Sequence, residues 1–189
     1  MEKVFRIKTL DKPRLSIKVQ TLATILAIVA AVALPQAFHV LGRISGLGTA
    51  LGETFLPMHL PILLVGLLAG PYAGAIAGLM GPLLSFALTG MPTQAMLPFM
   101  MIELCVYGLA CGLLRNVKLP TIVKVIIAQV AGRAVRAIAI VISFYGFGSS
   151  IRPAVIWNSI GAGIFGLVLQ WALLPLIIYR VENLKKNEQ

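Results

Sequence analysis

Hydrophobic residues fill this chain in long runs, and short clusters of glycine, proline and polar residues separate them. A helix needs about 20 apolar residues to cross roughly 30 Å of hydrocarbon. Only about six such segments fit in the chain, with little left for anything else. The pattern predicts helices over Ile17–Ala37, His59–Ala69, Tyr72–Leu88, Ala95–Leu114, Thr121–Phe144 and Ala154–Tyr179. The second is short, and Gly70-Pro71 breaks it from the third, which fits a tight hairpin at one membrane face. Between the first two lies a mixed, glycine-containing loop, Phe38–Met58, of the length that lids often have. Thr89–Gln94 is a Gly/Pro turn, Arg115–Pro120 a basic loop and Tyr145–Pro153 a Gly/Ser loop.

Composition agrees with an all-α membrane protein: 59% of the 189 residues are hydrophobic, more apolar surface than a soluble chain of this size could hide. The expectation is one integral-membrane domain over residues 1–189, with short cytoplasmic tails over about 1–16 and 181–189, the latter frayed. Basic residues before Ile17 would suit a signal peptide, but the apolar run is too long and continues unbroken, so it reads as an uncleaved first helix.

The formal net charge of +10 raises the question of nucleic acid. Its placement argues against that partner, because the cations sit in tails and short loops. With the N-terminus inside, the inner face receives 12 basic residues: Lys3, Arg6, Lys8, Lys12, Arg14, Lys18, Arg115, Lys118, Lys124, Arg180, Lys185 and Lys186. The outer face receives 2, Arg43 and Arg152. Cytoplasmic loops carry the Lys/Arg excess, so both termini are expected in the cytoplasm.

Glu53, Glu103, Arg133 and Arg136 lie in or beside apolar runs. A charge at the bilayer centre costs roughly 2.5–3.5 kcal/mol on insertion scales, so such residues face a protein interior, find a partner or serve a ligand. Counting from the predicted helix ends puts Glu103 and the two arginines at similar depth. Arg133 and Arg136, three apart, share one helix face. One reading is a polar belt around a ligand pocket; the other is a self-neutralising Glu–Arg pair that locks two helices. Two guanidiniums against one carboxylate favour an anionic or strongly hydrogen-bonding ligand group. Met58 and His59 at a loop–helix junction, Gln94 in a turn and Asn158 on the first turn of the last helix are placed at the outer mouth. Phe99 and Tyr107 flank Glu103 at i−4 and i+4, a spacing that also suits core packing. Trp157 reads as an interface anchor.

Cys105 and Cys111 share one apolar run and read as small core residues, with no metal set and no disulfide framework. The chain contains no phosphate-binding loop, no His-Glu-x-x-His and no Gly-x-Ser-x-Gly. Its two histidines fall in different predicted loops. No catalytic residue and no cofactor is assigned, and the chain reads as a binder and not an enzyme. Ala23, Ala27 and Ala31 form a small-xxx-small stripe on the first helix. Such a stripe serves either internal packing or an external docking face.

Six helices in under 200 residues with this alanine stripe resemble the substrate-binding S-components of energy-coupling factor (ECF) vitamin transporters. The stretch from Met58-His59-Leu60-Pro61 through Gly70-Pro71 to Gly74 and Gly78 is similar to the family's second and third helices. So are Pro82-Leu83-Leu84 through Thr89-Gly90-Met91-Pro92, and Ile102-Glu103-Leu104 with Tyr107-Gly108-Leu109. The resemblance spans about residues 17 to 180. It implies a multi-pass protein of the bacterial plasma membrane that binds a vitamin-like small molecule on its outer side. It implies docking, through Ala23, Ala27 and Ala31, on a transmembrane T-component coupled to two ATPase subunits that hydrolyse the ATP. It implies a pocket built by the first loop, the turn after the third helix and the outer halves of the last three helices. Met58, His59, Gln94, Phe99, Glu103, Arg133, Arg136 and Asn158 are the candidate ligand residues. The arginine pair favours pantothenate; pyridoxine or a hydroxymethylpyrimidine, a cobalamin-related compound and a queuosine precursor stay open. A helical scaffold subunit and a stand-alone solute facilitator are the competing readings.

Overall fold

A computed structural model describes residues 15–187 of the chain. Among the described residues every regular element is a helix: α1 Ile17–Ile44, α2 Ala50–Phe55, α3 His59–Ala69, α4 Pro71–Thr89, α5 Leu97–Leu114, α6 Thr121–Phe147, α7 Ala154–Ala162 and α8 Ile164–Asn187. Six stretches are long and apolar enough to cross a membrane, with α2 and α3 together forming one of them and α7 belonging to none. Lys3, Arg6, Lys8, Lys12 and Arg14, which the charge count placed inside, lie outside the described residues.

Helix α1 starts where Ser16 accepts a side-chain hydrogen bond from the amide of Val19. It runs seven residues past the predicted end at Ala37, carrying Pro35 within it. The reason is local: Phe38–Ile44 is mostly apolar, and the first residues that require a left-handed backbone are Gly46 and Gly48, with φ of 74° and 57°. The predicted loop is therefore largely helical, and its later part forms α2. Leu56 ends α2 in the left-handed region, with φ of 48°.

The predicted hairpin between α3 and α4 is present, turning at Gly70 with φ of 106°. The glycines of this pair then pack on α5. A Cβ on Gly74 would strike the backbone of Gly108, and one on Gly108 would strike that of Gly74. Gly78 meets the Leu104 carbonyl in the same way. Small residues allow this approach of backbones in a setting where packing, and not water, holds helices together. On the other side of α5, Gly132 of α6 rides over the ring of Tyr107. The α4–α5–α6 layer is thus set by glycines, and it delivers Glu103, Arg133 and Arg136 to one place.

Two further expectations are corrected. The last predicted helix is two, α7 and α8, separated at Gly163, where a Cβ would lie 2.7 Å from the Leu56 side chain. The chain bends there to seat α8 against the α2–α3 corner. Its C-terminal part stays helical through Asn187 and does not fray after Tyr179.

The alanine stripe of α1 points inward. Ala31 is fully buried, Ala27 is buried and Ala23 is half-buried against the same apolar core. Gly81 of α4 lies against Ala31, close enough that a Cβ there would come within 3.2 Å. The stripe is a packing face in this structure, and α1 presents Leu22, Ile25, Leu26 and Val29 outward instead. Large apolar side chains are likewise exposed on α6 (Val130, Ile138, Ile142) and α8 (Phe165, Val168, Leu176), as the lipid-facing surface of a membrane bundle requires.

Candidate functional site

Buried ionisable and polar groups converge between α5 and α6. Arg136 Nη1 donates to Glu103 Oε2 at 2.9 Å. Tyr107 Oη donates to Glu103 Oε1 at 2.8 Å, one helical turn along α5. Arg133 Nε stands 3.9 Å from Oε1, close enough for an ion pair but without a hydrogen bond. Glu103 is 1% exposed and Arg136 8%, so the pair is desolvated and needs this neutralisation. The ring of His59, at the start of α3, tilts against Tyr107 with centroids 5.5 Å apart.

His59, Glu103 and the two arginines line a cavity of about 540 Å³, and Tyr107 stands behind them. Helix α1 contributes Pro35 and His39, and the α2 segment contributes Thr49, Gly52, Glu53 and Leu56. Met58 and His59 enter from α3, Ser85 from α4, and Met91, Pro92 and Thr93 from the following turn. Met96, which caps α5, and Met100 and Glu103 within it line the same space, with both arginines from α6 and Val155, Asn158, Ser159 and Ala162 from α7. Glu53, Thr93 and Asn158 are exposed, whereas Ser85, His59 and Glu103 are buried, so the cavity has an open mouth and a buried floor. Its volume falls in the range of small-molecule sites, which are mostly apolar with a few placed polar groups. Arg133, Arg136 and Ser159 also line a smaller adjoining cleft of about 180 Å³ between α6 and α7, where Trp157 stands exposed.

Several polar atoms at this site are buried and have no hydrogen-bond partner: His39 Nδ1, His59 Nδ1, Arg133 Nε and Nη1, and Arg136 Nε. Buried polar groups are ordinarily satisfied, and unsatisfied ones mark strain or a site that a ligand completes.

The structure brings Met58, His59, Glu103, Arg133, Arg136 and Asn158 into one cavity. It does not bring Gln94 or Phe99. Gln94 is exposed in the turn, outside the lining. Phe99 is buried, 6% exposed, because the face of α5 toward the cavity is that of Met96, Met100 and Glu103, and Phe99 lies beside it. The two histidines, expected in separate loops, are both helical and face the same space. His39 went unassigned because its segment read as loop; its ring packs on Gly52, where a Cβ would come within 3.0 Å. The 96–100–103 spacing, four then three, was the available signal for the two methionines.

A second polar cluster supports the site from behind. Gln129 of α6 donates to Gln170 of α8 at 2.8 Å, and Trp171 Nε1 donates to Gln129 at 2.7 Å. Gln170 Nε2 donates onward to the carbonyl of Leu56 at 3.3 Å. The corner between α2 and α3 is thereby tied to α6 and α8. Among the described residues, no group of three or more His, Cys, Asp or Glu could hold a metal ion.

Residues 19–179 match the family described as the substrate-specific component of ECF transporters. No curated protein and no solved structure gives a significant match. The match covers most of the chain, which therefore belongs to that family. With six helices capable of crossing the bilayer, it is a multi-pass protein of the cell membrane that serves a transporter as its substrate-binding subunit.

Proposed function

We propose that this substrate-specific component binds an acidic micronutrient in the cavity enclosed by α1, α2, α5, α6 and α7, on the outer side of the membrane. The observation that carries the reading is the floor of that cavity, where two guanidiniums meet one carboxylate and three arginine nitrogens have no hydrogen-bond partner. Guanidinium donors in a desolvated site match carboxylate geometry and gain strength from the low dielectric. Of the vitamins left open by the sequence, pantothenate fits this surplus of positive charge. Pyridoxine or a hydroxymethylpyrimidine, a cobalamin-related compound and a queuosine precursor would leave it unanswered or place it against a larger ring system. Met58, His59, Glu103, Arg133, Arg136 and Asn158 form the contact set, extended by His39, Met96 and Met100.

The loaded protein hands its cargo to a T-component driven by two ATPase subunits, and its own role is binding rather than chemistry. Purification in mild detergent, denaturation and mass spectrometry of the released small molecules tests the reading. A stoichiometric organic acid of vitamin size is the expected result. A preparation that neither retains nor binds any small molecule would overturn it.

A further inference from the structure

We propose that the two arginines have different tasks: Arg133 receives the charge of the ligand, Arg136 is the scaffold partner of Glu103, and the ligand is a monoanion with one carboxylate. This rests on reading the cavity as the micronutrient site, and it assigns the specificity-determining residue within it.

The division follows from the oxygens of Glu103. Oε1 accepts from Tyr107 at 2.8 Å and Oε2 from Arg136 at 2.9 Å. Each oxygen has one strong, short donor. Arg133 comes no nearer than 3.9 Å and makes no hydrogen bond through Nε or Nη1, although both nitrogens are buried. Buried guanidinium nitrogens without a hydrogen-bond acceptor are costly even beside a carboxylate, and an acceptor arriving in the cavity relieves that cost. Arg136 has already spent its Nη1 on Glu103 and is the more buried of the two, with 10% of its side chain exposed against 15%.

The net charge at the floor gives the ligand's charge. Glu103 and Arg136 neutralise each other, and Arg133 leaves one positive charge. Glu53 also lines the cavity and is exposed, whereas Glu103 is buried. A second anionic group on the ligand would meet a carboxylate among the lining residues as well as the single surplus cation. His39 and His59 each offer a buried, unpartnered Nδ1 to the same cavity. The arrangement suits a carboxylate at the floor followed by neutral hydroxyl or amide groups, and it disfavours a phosphate ester dianion.

The test uses purified full-length protein in detergent and isothermal titration with matched acid and neutral pairs: pantothenate and panthenol, nicotinate and nicotinamide, biotin and biotinamide. In a pair that binds, the acid is tighter by at least about tenfold, or 1.4 kcal/mol. Arg133→Gln reduces that ratio to within about threefold while the neutral member still binds, and Arg133→Lys restores part of it. Arg136→Gln lowers the melting temperature more than Arg133→Gln does. Equal affinity for acid and neutral members in the wild type, or an undiminished ratio in Arg133→Gln, overturns the assignment and leaves the binding function standing. Where no pair binds, the molecule released on denaturation decides: a monocarboxylic acid supports the assignment, and a cation, a neutral compound or a dianion overturns it. If nothing is released and nothing binds, the binding function itself fails and takes this inference with it.

Discussion

Arg136 Nη1 lies 2.9 Å from Glu103 Oε2, and this buried ion pair is the polar joint between α5 and α6. Removing one member of such a pair leaves the other charged and desolvated, at a typical cost of about 3–5 kcal/mol. Glu103→Gln and Arg136→Gln are each expected to lower thermal stability in detergent. The double variant should recover part of the loss, because neither member is left charged without the other, although Arg133 then loses its carboxylate neighbour. Melting curves for the three proteins check this. Additive losses in the double variant would mean that the two residues do not act as a pair.

The joint exists because Gly132 lets α6 settle on Tyr107. A side chain there would strike the ring, whereas nothing lies within 4 Å of a Cβ added at Gly146 on the same helix. Overpacking a fitted contact typically costs about 1–3 kcal/mol. Gly132→Leu should therefore lower the melting temperature and weaken ligand binding together. Gly146→Leu should alter neither beyond the small cost of its position. Parallel melting and titration of the two variants provide the measurement.

Helix α1 offers a third comparison. Ala27 is 7% exposed and Ala31 fully buried, while Leu26 is 59% exposed. Ala27→Trp should destabilise the isolated protein, since an indole has no room against the α3–α4 core. Leu26→Trp should leave folding and ligand binding intact. Co-purification with the T-component then asks which face docks. Loss of the complex in Leu26→Trp with ligand binding preserved would place the docking surface on the exposed face. A stable, ligand-binding Ala27→Trp protein that loses only the complex would restore the alanine stripe to that role.

Much of this architecture is legible from punctuation. Gly70-Pro71 and Pro120 sit where α3 ends and α6 begins, and α3 and the start of α6 match the predicted bounds. Backbone breakers act locally, so sequence shows them. The true end of α1 is hard to read because a few polar residues in Phe38–Ile44 resemble a loop, yet no residue there forces the chain to turn. The α7–α8 break is illegible for the opposite reason. Gly163 matters through its contact with Leu56, more than a hundred residues away, and no local pattern encodes that. The proximity of Glu103 to Arg133 and Arg136 was readable from depth counting alone. The exclusion of Phe99 and the inclusion of His39 were not, because they depend on how α5 is rotated and on what α1 does beyond Ala37.

The orientation of the bundle is open to labelling. The basic residues gather at the ends of α1, α5, α6 and α8 that share one side, which is expected to be cytoplasmic. Single cysteines at Ser149 and Leu184, introduced after Cys105 and Cys111 are replaced by Ala, should differ in access to a membrane-impermeant maleimide. Ser149 should react in intact cells and Leu184 only after permeabilisation. The reverse pattern would invert the protein in the membrane and put the cavity mouth inside.

The last expectation concerns what holds the cavity shut. Gln170 donates to the carbonyl of Leu56 at 3.3 Å, and Leu56 is the left-handed residue that turns α2 into α3. Helix α2 in turn supplies Gly52 and Glu53 to the cavity wall. The bond is therefore a tether between α8 and one wall of the site. Gln170→Leu leaves the Gln129 amide without its acceptor as well, and an unsatisfied buried polar group costs about 1–3 kcal/mol. Stability should fall, and the ligand should dissociate faster, because the corner that carries α2 has lost its anchor. Trp171→Phe is the control. It removes the indole donor to Gln129, held at 2.7 Å, without touching Leu56. Its melting temperature should fall while the dissociation rate stays near that of the wild type. Stopped-flow release of a retained ligand, measured beside melting curves, separates the two effects. Equal off-rates in Gln170→Leu and the wild type would show that α2 is held by its packing on α8, where Gly166 meets the Phe55 backbone, and not by this hydrogen bond.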